Sequence, residues 1–203
     1  MSSNTSSYNG LVQKLLKISQ QTFWQVVVKL ATTISGFIII GLISRNYGKS
    51  GVGDFTLALT YLTFFYTLSD FGFNAHILGK LQETSDNVQV EWQKLLGVRI
   101  VWSLALTLIA LGVVAFLPAS FSNDFKLATV LGSLIILFFA INLTSQAFFQ
   151  AKHRYDLDIL PTILGVLVSV GLTYFFVNQN LPIYLVILGY LVAWFIHSSG
   201  TFL

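Results

Sequence analysis

The chain alternates between long apolar segments and short polar breaks. A helix that crosses a bilayer core needs about 20 consecutive apolar residues. Six segments approach or reach that length, namely Phe23–Ile43, Val52–Ser69, Leu96–Leu117, Leu127–Phe148, Ile159–Val177 and Ile183–Leu203. Glycine, proline or charged residues mark the breaks between them. The pattern therefore predicts an all-α polytopic membrane protein, a six-helix transmembrane bundle over residues 23–203.

The segment before the first span has a different character. Residues 1–10 are polar and uncharged, which predicts a disordered N-terminal tail. Residues 11–22 have two contrasting helix faces, with Leu11, Leu15 and Ile18 on one and Lys14 and Lys17 on the other. A helix with one apolar and one basic face lies in the membrane interface. We therefore expect an amphipathic interfacial helix there.

Composition agrees with a membrane location and excludes several functions. Hydrophobic residues make up 55% of the chain and charged residues only 9%, against roughly 25% charged residues in soluble domains. The chain has no cysteine, and its basic residues are scattered singly, so we expect neither cysteine-ligated metals nor nucleic-acid binding. It shows no nucleophile–base pair and no metal-ligand spacing, so we expect no catalysis, metal or cofactor.

The distribution of lysine and arginine predicts the orientation of the bundle. With the N-terminus inside, inner segments hold seven basic residues and outer loops hold three. Positive charge concentrates on the cytoplasmic side of membrane proteins. We therefore expect a multi-pass protein of the cytoplasmic membrane with both termini in the cytoplasm.

Several spans carry polar residues along one face. The polar positions recur at steps of three and four, as in Thr56, Thr60, Thr63, Thr67 and Asp70; in Thr22, Gln25, Lys29, Thr32 and Gly36; in Asn142, Gln146 and Gln150; in Thr162, Gly165, Ser169 and Thr173; and in Tyr190, Trp194, His197 and Thr201. Small hydroxylated residues often serve helix packing alone. Polar faces on several helices also suit a bundle around a hydrated cavity, the architecture of a transporter.

Three ionisable residues in or next to the spans each allow two interpretations. Lys29 either snorkels to the membrane surface or lines a hydrated cavity. Asp70 either caps the segment that follows the second span or binds a proton or cation. His197 is either a hydrogen-bonded buried histidine or a titrating group in proton coupling. Gln25, Asn142 and Gln146 are further candidates for the cavity wall.

Three short stretches resemble motifs of bacterial polysaccharide flippases. Arg45–Phe55 resembles the loop "R-x-L-G-x-x-x-x-G-x-[FY]", with Tyr47 in place of leucine. Ser69–Asn74 resembles "D-[FL]-G-[LF]-[ND]", and Phe149–Tyr155 resembles "[FL]-Q-A-x-x-R-[YF]". Phe23-Trp24-Gln25 followed by Lys29 is also similar to the family's opening helix. The order and spacing of these stretches make the resemblance specific.

The resemblance implies an exporter related to the multidrug and toxin extrusion (MATE) proteins. Polysaccharide flippases have two lobes around a cationic cavity. They move a lipid-linked oligosaccharide, typically one carried on undecaprenyl pyrophosphate, across the membrane. It implies that Lys29, together with Arg45 and Arg99, could contact pyrophosphate or acidic sugar. Because the chain matches one lobe and stops as its sixth span completes, we expect a truncated N-terminal lobe. Its partners would then be the bilayer, the substrate, and a missing C-terminal lobe or second half-transporter chain.

Two other functions stay open at this point. One is an ion-coupled multidrug or toxin antiporter, which would favour acidic residues inside the membrane. The other is a non-transporting membrane scaffold, which applies if 203 residues are the full product.

Overall fold

The computed structural model describes residues 3–70, 72–73, 88–151 and 156–200, and all regular elements there are helices. They are α1 (Ser3–Leu68), α2 (Val88–Ala115), α3 (Asn123–Gly132), α4 (Ile135–Ala151), α5 (Asp156–Asn178), a 3₁₀ turn (Ile183–Val186) and α6 (Ile187–Ser199). Four stretches are long and apolar enough to cross a membrane: Thr22–Leu68, Gln89–Ala115, Asn123–Phe149 and Asp158–Asn178. The chain is thus an all-helical, multi-pass membrane protein.

Helix α1 contains the first two predicted spans, separated only by a kink at Gly48. Gly48 has φ 64° and ψ −162°, outside helical geometry and in the left-handed region that glycine adopts without a side-chain penalty. The break was predicted at Asn46–Lys49, so its position is confirmed. We call residues 3–47 the first arm of α1 and residues 49–68 the second arm.

The start of α1 differs from the sequence expectation. The helix begins at Ser3 and continues through residues 11–22 into the first span without interruption. The expected disordered tail is therefore helical from Ser3, and the expected interfacial helix is continuous with the first arm. Residues 3–22 contain no proline that would stop the helix.

Contacts with α6 show that the chain reverses direction at Gly48. The first arm runs from Thr32, which lines the same cavity as His197, to Tyr47 beside Leu181. The second arm runs the other way along α6, from Phe55 beside Tyr190 to Tyr66 beside Trp194.

On the first arm, Tyr47 donates its hydroxyl hydrogen bond to the carbonyl of Leu181 at 2.6 Å. On the second arm, Tyr61 bonds the carbonyl of Ala110 and Trp102 bonds that of Leu68, so this arm is antiparallel to α2. We call the level of Gly48 and Leu181 the Gly48 end of the bundle, and the level of Leu68 the Asp70 end.

The fourth predicted span lies within the apolar stretch Asn123–Phe149, which a local interruption at Ser133 divides into α3 and α4. The Ser133 hydroxyl and backbone N–H both donate to the carbonyl of Val130, which tightens the last turn of α3. Gly132 lies beside this break, where an added Cβ would stand 2.6 Å from Leu62. The residues around Ser133 are mostly apolar, so the hydropathy pattern did not predict this interruption.

The buried core is centred on the second arm of α1. Phe55, Ala58, Leu62 and Phe65 are buried at helical spacing and pack with residues of α2, α3, α4 and α6. The threonines of the same arm, Thr56, Thr60, Thr63 and Thr67, are all exposed. The polar face predicted for the second span therefore points away from the packed interior.

Candidate functional site

A cavity of about 200 Å³ lies between the first arm of α1, α5 and α6. Its wall includes polar or aromatic side chains from all three helices: Thr32, Ser35, Thr162, Ser169, Tyr190, Trp194 and His197. Residues of the polar faces predicted for the fifth and sixth spans thus meet at one place, and Thr32 of the first predicted face joins them. All the residues that line this cavity belong to the described part of a single chain.

Small residues let α5 and α6 approach closely at this cavity. A Cβ added to Gly165 would stand 2.8 Å from the backbone oxygen of Ala193. A Cβ added to Gly189 would stand 3.2 Å from the backbone oxygen of Ser169. Because helix backbones in a membrane come together through such small residues, the packing interpretation holds for this part of the polar face.

An acidic residue and a histidine join these two helices at one end of the cavity. His197 Nε2 lies 2.9 Å from Asp158 Oδ1 and 2.7 Å from the Thr162 hydroxyl oxygen. Both partners are largely shielded, with 12% of the His197 side chain and 22% of the Asp158 side chain exposed. Gln146 of α4 approaches the other carboxylate oxygen of Asp158 at 3.4 Å. The cluster therefore links α4, α5 and α6.

Two hydroxyls near the cavity lack a hydrogen bond to the described part of the protein. The Ser169 oxygen is buried, lines the cavity and has no partner there. The Thr173 hydroxyl, one turn further along α5, is in the same situation. A buried hydroxyl without a partner is costly, and the cavity beside Ser169, at about 200 Å³, is large enough to hold water.

A second charged cluster lies at the Asp70 end of the bundle, outside this cavity. Arg99 of α2 is fully buried and its Nη2 donates to Asp70 Oδ1 at 2.7 Å. Its Nη1 donates to the Thr144 hydroxyl of α4 at 3.2 Å, and its guanidinium lies 5.7 Å from the ring centre of Phe73. Asp70 and Arg99, proposed from the sequence for different roles, are therefore partners of one another.

Three of the sequence candidates lie on the exposed surface of α1. The side chains of Gln25, Lys29 and Arg45 are exposed, and none of them lines the cavity. Lys29 lies within the apolar stretch Thr22–Leu68, one turn before cavity residue Thr32. Its backbone carbonyl accepts hydrogen bonds from the hydroxyls of Thr32 and Thr33. The structure thus separates the exposed Lys29 from the enclosed His197 cluster.

The remaining candidate, Asn142, is buried in α4. Its side chain is 1% exposed, and its amide nitrogen has no hydrogen-bond partner in the described part of the chain. Gln146, one turn later, contacts Asp158. The side chain of Gln150, the third member of this predicted face, lies outside the described residues, as do the four residues that follow Ala151.

Sequence reasoning missed Asp158, which the structure places beside His197. Asp158 stands at the boundary between a polar break and an apolar span, so it was assigned to the break. One signal was available: Asp158 and Thr162 are four residues apart and therefore share a helix face. Their pairing with His197, more than 30 residues away, depends on the crossing of α5 and α6.

Comparisons with known proteins identify the family. A family model described as polysaccharide biosynthesis protein matches residues 18–202. The resemblance noted in the sequence is thereby confirmed at the level of the family. No curated protein and no solved structure gives a significant match. In the described residues, no group of three or more histidine or acidic side chains could hold a metal ion.

Proposed function

The chain belongs to the polysaccharide biosynthesis protein family, and from this premise we propose that it is part of a flippase. Its substrate would be an oligosaccharide linked to a polyprenyl pyrophosphate, moved from the cytoplasmic to the outer leaflet for envelope polysaccharide synthesis. The protein would act as a transporter, positioning a charged headgroup along a hydrated route.

The observation that carries this proposal is the exposed Lys29 within an apolar helix. A cation in a membrane span is costly unless it faces water or an anionic partner. The second arm of α1 adds an exposed row of threonines, Thr56, Thr60, Thr63 and Thr67. Lys29 and these threonines therefore provide a positive charge and hydroxyl groups on exposed surfaces of α1. A pyrophosphate and its sugars require these two kinds of contact.

Arg99 fits substrate binding less well than Lys29 does. Its guanidinium is fully buried and bound to Asp70 and Thr144, so it would have to leave both to reach a phosphate. Arg45 is exposed near the Gly48 end and could meet a substrate only there. Lys29 is therefore the cation that we assign to the headgroup.

The reversal at Gly48 supports a count of six crossings. If each arm of α1 crosses once, the Asp70 end lies on one side of the membrane and the Gly48 end on the other. The positive-inside distribution would then orient the Asp70 end, and with it both termini, toward the cytoplasm. A complete route would need a second lobe, either from a longer chain or from a second half-transporter, in the two-lobe arrangement of MATE-like exporters.

The proposal is tested with Lys29→Ala, Lys29→Arg and a matched control, Lys49→Ala, in cells that depend on this protein for surface polysaccharide. Lys49 is also an exposed lysine of α1 but lies next to Gly48. At equal membrane abundance, Lys29→Ala should reduce surface polysaccharide at least tenfold, while Lys29→Arg and Lys49→Ala retain most of it. Unchanged polysaccharide in Lys29→Ala would contradict the assignment of Lys29.

A multidrug antiporter is the second candidate, and one observation favours it. Asp158 supplies an acidic side chain beside the cavity, the feature expected of a carrier for cationic drugs. Its carboxylate is already bound by His197, which leaves less negative charge to attract a cation. Drug resistance on expression, without any change in polysaccharide, would support this candidate over the flippase.

A further inference from the structure

We propose that the cavity between the first arm of α1, α5 and α6 binds one neutral sugar ring, the ring that is attached to the pyrophosphate of the substrate. The assignment of this ring to the substrate rests on the proposed function, whereas the binding of a free sugar ring rests only on the cavity. Four features support it: the size of the cavity, its aromatic side chains, its hydrogen-bonding groups and its position beside Lys29.

The size of the cavity suits a single ring. Its volume is about 200 Å³. An apolar cavity of about 150 Å³ holds one benzene molecule, whereas pockets for drug-sized ligands measure roughly 300–1,000 Å³. One six-membered ring with its hydroxyl groups is therefore the expected occupant. Further sugars of an oligosaccharide would lie outside the cavity.

Two aromatic side chains of α6 form part of the wall. Tyr190 and Trp194 are four residues apart, so they lie on one side of the helix, and both line the cavity. Phe55 packs edge-on against Tyr190 with ring centres 5.6 Å apart, and Phe139 packs edge-on against Trp194 at 5.1 Å. The face of an aromatic ring is electronegative and attracts the C–H groups on the flat side of a sugar. The wall therefore offers a rigid aromatic surface for such a ring.

The hydroxyl groups of the wall suit a ligand that donates hydrogen bonds. The Thr32 and Ser35 hydroxyls donate to the backbone carbonyls of Lys29 and Thr32, at 2.9 Å and 2.7 Å. Their oxygens keep lone pairs for a donor. Ser169 also lines the cavity, and its buried hydroxyl has no hydrogen bond to the described residues. Because sugar hydroxyls both donate and accept, a sugar can satisfy all three groups.

The charges near the cavity favour a neutral ring. None of the described residues that line it is a lysine or an arginine. At one end, the carboxylate of Asp158 lies 2.9 Å from His197. An anionic ligand would meet this negative charge, and burial of an anion without a cationic partner is costly. A uronic acid is therefore disfavoured, and the pyrophosphate would stay outside.

The position of Lys29 matches the covalent order of the substrate. Lys29 is exposed and precedes the cavity residue Thr32 by three residues. Side chains three apart on a helix start about 5–6 Å from each other. In a pyrophosphate-linked sugar, a single oxygen joins the first ring to the phosphate. A phosphate held by Lys29 would therefore bring the first ring, and no later one, to the cavity.

The test is saturation-transfer NMR on the full chain in lipid nanodiscs, with the methyl pyranosides of glucose, galactose and mannose as neutral probes. We expect at least one of them to bind with a millimolar or lower Kd. The corresponding methyl uronide, which has a carboxylate in place of the hydroxymethyl group, should bind at least tenfold more weakly. Absence of binding by all three probes, or equal binding of the uronide, would overturn the proposal.

Cyclohexanol tests whether the cavity is merely apolar. It has a six-membered ring but only one hydroxyl, so it cannot satisfy the three hydroxyl groups of the wall. We expect it to bind more weakly than the neutral sugar. Tighter binding of cyclohexanol would show an apolar site and would overturn the choice of a sugar.

Two pairs of variants locate the binding in this cavity. Ser169→Ala should weaken sugar binding about fivefold, the effect of one hydrogen bond. Its control is Thr173→Val, which removes the other unpartnered hydroxyl of α5 outside the cavity wall and should leave binding unchanged. Val166→Phe places a ring in the cavity and should abolish binding, whereas Leu167→Phe, at an exposed position, should not. Sugar binding that survives Val166→Phe, or that Ser169→Ala and Thr173→Val weaken equally, would overturn the proposal.

The binding test requires no transport, so this inference and the proposed function can fail separately. Absence of sugar binding in a protein whose surface polysaccharide still depends on Lys29 would contradict this inference alone. Sugar binding in a protein whose polysaccharide does not depend on Lys29 would contradict the proposed function and the link between the ring and its substrate, while the sugar site itself would stand.

Discussion

Two carboxylates join helices in this bundle, and they differ in the group that each one contacts. Asp70 pairs with Arg99, whose charge is permanent and whose side chain is fully buried. Asp158 contacts His197, whose ring lines a cavity and also contacts Thr162. The first pair connects α2 and α4 to the end of α1 through a permanent charge. The second connects α5 and α6 through a hydrogen bond beside the cavity.

Breaking the Asp70–Arg99 pair should have the largest effect on stability. Asp70→Leu would leave the fully buried charge of Arg99 without its carboxylate; because the Asp70 side chain is 38% exposed, we expect a cost of about 2–3 kcal/mol, at or below the lower limit for pairs buried on both sides. We expect a correspondingly lower free energy of unfolding for the purified protein in detergent.

The double variant Asp70→Leu/Arg99→Met serves as the control for this prediction. It removes both charges, so it should recover most of the loss. If the single Asp70→Leu variant is as stable as the wild type, the Asp70–Arg99 pair does not stabilise the fold.

The cavity site should depend instead on the close crossing of α5 and α6. Gly165→Ala would place a methyl group against the backbone of Ala193, and overpacking of this kind costs about 1–3 kcal/mol. The His197–Asp158 contact should weaken with it, seen as a changed His197 NMR signal. Gly171→Ala is the control, because an added Cβ there meets no atom within 4 Å. Equal effects of the two substitutions would argue against a tight crossing at Gly165.

Removing a single hydrogen bond from the Asp70–Arg99 pair should have the smallest effect. Thr144→Val removes the second acceptor of Arg99 and should lower the free energy of unfolding by about 1 kcal/mol. The Asp70 contact would remain, so the orientation of Arg99 should persist. A loss as large as that of Asp70→Leu would mean that Thr144, and not Asp70, holds the guanidinium in place.

The sequence predicted the features that follow from local pattern. Apolar segments located the stretches long enough to cross a membrane, and the Asn46–Lys49 break located the kink at Gly48. Residues of the polar faces predicted for the fifth and sixth spans line one cavity, together with Thr32 of the first. Helical periodicity shows which residues share a face, and this was sufficient for the fifth and sixth spans.

Features set by the packing of distant helices could not be predicted in the same way. Asp70 was interpreted as a cap or ion site because its partner Arg99 lies 29 residues along the chain. The break at Ser133 lies within a continuous apolar segment, so hydropathy did not reveal it. Asp158 was assigned to a loop because nothing local identified the ring of His197 as its neighbour.

The most direct test of the central claim is transbilayer movement of a fluorescent polyprenyl-pyrophosphate disaccharide in proteoliposomes made with the protein as it is encoded in its source. We predict that the wild type and Lys49→Ala move the lipid between leaflets, whereas Lys29→Ala is at least tenfold slower. Equal rates in Lys29→Ala and the wild type, or no movement above protein-free vesicles, would contradict the account.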